Sequence, residues 1–192
     1  VVNTGIGSSV VECSNSNEGA IELNDSGSIV ATNHDVNGVL FRYSTDNTLT
    51  MNDNSTIDVG DNGIAVSLYH ADDNSIILND DAAITSNYIG VKFGASGNAS
   101  LTLNNNASVD ADDFAVDITL TSSADVILYD NARLISRADE GAGIRMNVSG
   151  DSGIELHDNS AILTYGDQSH GIEVINSSNS SYIQLNDNSQ IT

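Results

Sequence analysis

At 192 residues the chain is long enough for one ordinary domain or one section of a repeat array. Apolar residues make up 39% and aromatics only 5%, with no Pro and no Trp, which suits a thin core of Ile, Leu, Val and Ala between many polar turns. The net charge of −22 sets 27 acidic residues against Arg42, Lys92, Arg133, Arg137 and Arg145; this argues against nucleic acid or an anionic membrane as a partner and favours solubility and attraction of cations.

Cys13 is the only cysteine, so neither an intrachain disulfide nor a zinc site follows, and a partly buried small apolar residue is expected there. No run of 18 apolar residues marks a transmembrane helix. Val1 opens directly into repeat-like sequence without a signal peptide, so a piece of a longer secreted chain is expected.

In chain order, one pattern recurs seven times: Ile21–Ile29, Leu49–Ile57, Ile76–Ile84, Leu101–Val109, Val126–Leu134, Ile154–Ile162 and Ile183–Ile191. The starts are separated by 28, 27, 25, 25, 28 and 29 residues, a period that marks a solenoid. Inside each period lies a second block, starting at Gly38, Gly63, Gly90, Ala115, Gly143 and Gly171. Its offset from the period start is 14 or 17, so one loop accepts three extra residues. Within the blocks apolar residues alternate with period two, which means strand. Ile21 and Leu23 share a face, as do Ile29 and Ala31; Val39, Phe41 and Tyr43; and Ile144, Met146 and Val148. Each period therefore holds three short strands, a pair flanking an Asn-Asp turn and one after Gly. The expected fold is all-β: a three-faced parallel β-helix of about seven coils, residues 1–192 forming a single domain.

The first turn position stacks Asn24, Asn52, Asn79, Asn104, Tyr129, His157 and Asn186. Asparagine there supports an amide ladder and tolerates left-handed backbone; Tyr129 and His157 interrupt it, which predicts a corner partly open to solvent. The next position stacks Asp25, Asp53, Asp80, Asn105, Asp130, Asp158 and Asp187. Carboxylates about 5 Å apart repel. They must face water, accept backbone N–H bonds, or share cations, calcium being the candidate.

Catalytic patterns are weak. Gly150-Asp-Ser-Gly153 spells the surround of a serine-protease nucleophile but falls where the repeat places a loop. Paired acids such as Asp72 with Asp73 and Asp112 with Asp113 read as solvated turns. His34, His70, His157 and His170 are scattered, and the six tyrosines form no single stripe. No catalytic residue, cofactor site or metal site is assigned.

The Asn-Asp-Asn-Ser turns, the Gly-Ile-x-Val strands and linkers such as Thr164–Ile172 resemble passenger domains of Gram-negative autotransporters across essentially the whole chain. The resemblance implies a right-handed three-faced helix displayed at the cell surface by a C-terminal outer-membrane barrel that this sequence does not contain. It also implies an adhesin or self-associating protein whose partner is a host-cell receptor, extracellular matrix, or another copy. The acidic ridge Asp25, Asp53, Asp80, Asp130, Asp158 and Asp187 is the candidate interaction surface. A carbohydrate-active enzyme on the same scaffold, and a passive stalk carrying a distal head, are the alternatives.

Overall fold

The computed structural model describes residues 9–148, 150–177 and 180–192, with the backbone of 2–3; the side chain of Val148 is outside the description. Each period contributes one strand to each of three parallel sheets, and the sheets stack into a β-solenoid of about seven turns.

The first sheet has seven strands, from Ala20–Leu23 through Thr48–Met51, Asn74–Leu78, Asn98–Leu103, Ser123–Leu128 and Ser152–Leu156 to Tyr182–Leu185. Beyond the Asn-Asp turn, the second sheet includes Ser28–Ala31, Thr56–Val59, Ala83–Ser86, Ser108–Ala111, Arg133–Ser136, Ala161–Thr164 and Gln190–Ile191. The third sheet begins at Ser9–Ser14 and continues with Asn37–Arg42, Ile64–Tyr69, Ile89–Gly94, Phe114–Thr119, Ala142–Val148 and His170–Ser177.

Period-two alternation sends one residue in two toward the axis. Leu49, Ile76, Leu101 and Val126 lie in register, as do Met51, Leu78, Leu103 and Leu128, and all are fully buried. Phe41 and Phe93 extend the same core from the third sheet. Each large side chain removed from water in this way stabilises by roughly 1.5–3 kcal/mol before chain entropy is set against it. The stack exposes Val174, Ile183 and Leu185 in the last coil, where no further coil of the described chain covers them.

Two sequence expectations are corrected. Val39 and Phe41 point inward, but Tyr43 is 55% exposed: the strand ends at Arg42 and Tyr43 turns outward at φ 50°. The second correction is in register. Ile64 pairs with Asn37 and Ile89, so Ala65 and not Gly63 occupies the column of Gly38 and Gly90. A slip of two residues keeps every side chain on its own face, so alternation alone does not detect it. The loops between second and third sheets are then 32–36, 60–63, 87–88, 112–113, 137–141 and 165–169, short only in the middle of the stack.

The glycine in the third block has a packing cause. A Cβ on Gly90 would stand 2.3 Å from Val109 Cγ1, and one on Gly143 would stand 2.1 Å from Ile162 Cγ2. The third sheet enters the coil against these β-branched side chains of the second, and little more than hydrogen fits.

Candidate functional site

At the Asn-Asp corner, Asn52, Asn79 and Asn104 each donate a side-chain N–H to the amide oxygen of the preceding coil, at 2.7, 2.8 and 2.8 Å. The sequence places Tyr129 and His157 next. They continue the stack as rings 4.8 Å apart at 18°, both half-buried, and Asn186 rejoins through His157 Nδ1 at 3.3 Å. The aspartates beside them all sit in the left-handed region, with φ from 58° to 60°. Their carboxylates reach backward: Asp53 accepts the N–H of Asp25, and Asp158 accepts that of Asp130, at 3.0 and 3.2 Å. Backbone donors thus offset part of the repulsion along this exposed acidic ridge.

A buried ladder at the opposite corner escaped the sequence reading. Asn47 and Asn74 lie inside the coil; the Asn47 side chain donates to Asn74 Oδ1 at 3.0 Å and accepts the Gly19 N–H at 2.8 Å. Farther along this column stands Ser152 of the protease-like tetrapeptide, buried in a strand with its Oγ accepting the Ala124 N–H. The Asp72 and Asp73 carboxylates bind the next coil, at the Gly97 N–H and the Asn98 amide.

The outer face of the third sheet carries a different chemistry. Lys92, Asp117 and Arg145 stand in register on adjacent strands. Asp117 is fully buried; its Oδ1 accepts from Arg145 Nε and Thr119 Oγ1, both at 2.9 Å, while its Oδ2 faces Lys92 Nζ at 3.6 Å without a hydrogen bond. The Arg145 guanidinium lies 3.7 Å from the Phe114 ring centre and helps cover a small apolar cluster of Ile89, Phe114 and Ala142, separate from the main core. Burial pushes the neighbouring Asp113 carboxyl up, Arg145 opposes this, and the Asp117 charge adds to the rise. A raised folded-state pKa gives stability that is present at low pH and lost as pH rises through it. Asp113→Asn is therefore expected to raise the melting temperature at pH 7 and to leave it unchanged at about pH 2–3, where both states are protonated.

Beyond these strands the chain turns through a column of left-handed residues. Among the described residues, every other non-glycine residue with positive φ is Asn, Asp, Glu or Gln. Here, after Asn15 at the head of the column, they are Tyr43, His70, Ala95 and Leu120, at φ 48–57°, each donating its N–H to the coil that follows. Left-handed backbone costs such residues about 1–2 kcal/mol each, and Leu120 recovers little by packing because it is 66% exposed. Tyr43 stacks on His70 at 5.4 Å and 7°, and Tyr69 meets His70 edge-on at 4.4 Å. Two of the six tyrosines are thus gathered in one place, which the sequence reading did not anticipate. The histidines are dispersed, and no group of three or more His, Cys, Asp or Glu among the described residues could hold a metal ion.

No protein-family model matches the chain, and comparison with curated proteins and with solved structures finds no match for it.

Proposed function

We propose that this solenoid is an extracellular adhesion or aggregation module of a bacterial surface protein of the autotransporter passenger type, held outside the cell by an outer-membrane barrel elsewhere in its parent. Its partner is a host-cell receptor, extracellular matrix or a copy on a neighbouring cell, met through extended faces and loops. The observation that carries this reading is the column Tyr43, His70, Ala95 and Leu120. Three of the four, Tyr43, His70 and Leu120, are large side chains on backbone positions that suit Asn; they meet this conformational cost and stay exposed to solvent, Tyr43 and His70 stacked on each other. Exposed aromatic and apolar groups on a rigid frame are what a binding surface requires.

Catalysis on a polysaccharide is the weaker reading. Burial pushes the Asp113 carboxyl up, but Asp117, whose charge adds to that rise, is sealed between two cations and is no partner for hydrolysis.

The test uses bacteria displaying the full-length parent with Tyr43→Asn, His70→Asn and Leu120→Asn combined. Asparagine suits the left-handed turn, so the coil should keep its fold. Clumping or host-cell attachment is expected to fall severalfold at equal surface display. Undiminished clumping and attachment would overturn the reading and leave a passive stalk.

A further inference from the structure

Beside the left-handed column the third sheet has an open notch of about 360 Å³. We propose that this notch binds a carboxylated sugar ring of a surface glycan, a hexuronate or similar acidic pyranose; the inference rests on the adhesion reading above and supplies its ligand class.

The notch arises from two small residues. Gly94 and Ala95 form its floor, while the coils on either side carry Tyr69 and Thr119–Leu120 as walls. The walls are two coil steps apart, about 9.6 Å at the usual strand spacing. A puckered ring, with axial hydrogens standing off its mean plane, fills that width. Such a ring also has an apolar face for Tyr69 and Leu120.

The charge of the lining selects the substituent. Lys92 lines the notch, and no Asp or Glu does. Its ammonium is 3.6 Å from Asp117 Oδ2, an ion-pair distance beyond hydrogen-bond length, while Arg145 and Thr119 both bond the other oxygen, Oδ1. The ammonium donors therefore remain available to an incoming carboxylate, with Asp117 keeping the cation in place. Three other depressions among the described residues are lined by acids: Glu140 with Glu173, Asp73 with Asp125, and Asp58 with Asp61. They repel an anion where this one attracts it. At physiological ionic strength the Debye length is about 8 Å, so the many distant acids are largely screened and the nearby charges, Lys92 with Asp117 and Arg145 behind it, set the local field.

The experiment titrates the purified chain with a tetrasaccharide containing glucuronic acid and, in parallel, a neutral glucose tetrasaccharide, following amide chemical shifts. Saturable shifts centred on Tyr69, Lys92 and Thr119 are expected with the acidic probe. Lys92→Gln and Leu120→Asn should each weaken binding about tenfold or more, with the spectrum otherwise that of the folded chain. No saturable binding at millimolar probe, equal affinity for the neutral tetrasaccharide, or binding untouched by both variants would each overturn the assignment. If cells displaying the parent still clump or attach while the purified chain ignores the acidic sugar, the notch assignment fails and the adhesion reading stands. If the sugar binds but the displayed variants adhere as before, the reverse holds.

Discussion

Replacing Asn47 by alanine is expected to destabilise the first coils by about 2–4 kcal/mol, mostly through buried groups left without partners. The side chain is inside the coil, where water cannot replace it. Its Oδ1 accepts the Gly19 N–H at 2.8 Å and the Ser16 hydroxyl at 3.0 Å; its Nδ2 donates to the Thr45 carbonyl at 2.9 Å and to Asn74 Oδ1 at 3.0 Å. Alanine fits the column, which carries Ala99 and Ala124 farther along, so strain is not the cause. Asn74→Ala should cost a similar amount, because its Oδ1 also accepts the Asn47 backbone N–H at 2.9 Å. The two changes share a bond, so the double variant should cost roughly 1 kcal/mol less than the sum. Solenoid stability is close to a sum of neighbour terms, so the loss should be local. Amide hydrogen exchange is expected to quicken from Gly19 to about Thr56 while Phe114–Thr119 keeps its protection. Uniform acceleration along the chain, or none, would show that the ladder does not act as a local clamp.

Why this ladder was illegible, when the one at the Asn-Asp corner could be read, is a matter of pattern. Asn24, Asn52, Asn79 and Asn104 recur at fixed offsets inside a repeated motif, and alternation fixes which neighbours point inward. Asn47 and Asn74 occur in only two adjacent coils, in a sequence so rich in asparagine that burial leaves no mark. The strands and the stacking of coils follow from period two and from the turn residues, and the three-sheet arrangement agrees with that reading. The register of Ala65 does not follow, since a two-residue slip preserves inward and outward faces. The candidate surface was harder still. Tyr43, His70, Ala95 and Leu120 share no residue type, and only their common backbone conformation joins them. The acidic ridge was legible as a line of carboxylates, but its ordering by backbone N–H groups depends on turn geometry.

Replacing Asp117 by alanine should cost roughly 2–4 kcal/mol, less than a wholly buried ion pair because Lys92 and Arg145 retain partial access to water. Asp117 is fully buried, and its loss would leave Arg145 Nε and the Thr119 hydroxyl without the acceptor both use. It would also bring two cations together without the charge between them, since Lys92, Asp117 and Arg145 are consecutive in register. Arg145 would then be free to leave Phe114 and uncover the small cluster with Ile89 and Ala142. Asp117→Asn keeps an acceptor oxygen and should cost about half as much. If the loss comes from uncompensated charge and not from the missing volume, removing the charges together should recover most of it. The triple variant Lys92→Met, Asp117→Leu, Arg145→Met is then expected within about 1 kcal/mol of the parent in urea unfolding, as is found when buried ionic triads are replaced by apolar residues of similar size. Most of the single Asp117→Ala cost should persist in 0.5 M salt, because the lost bonds to Arg145 and Thr119 are shielded from solvent ions, while only the repulsion left between the partly exposed Lys92 and Arg145 is screened. A triple variant as unstable as Asp117→Ala would refute this account and show that the cluster stabilises the sheet by its geometry.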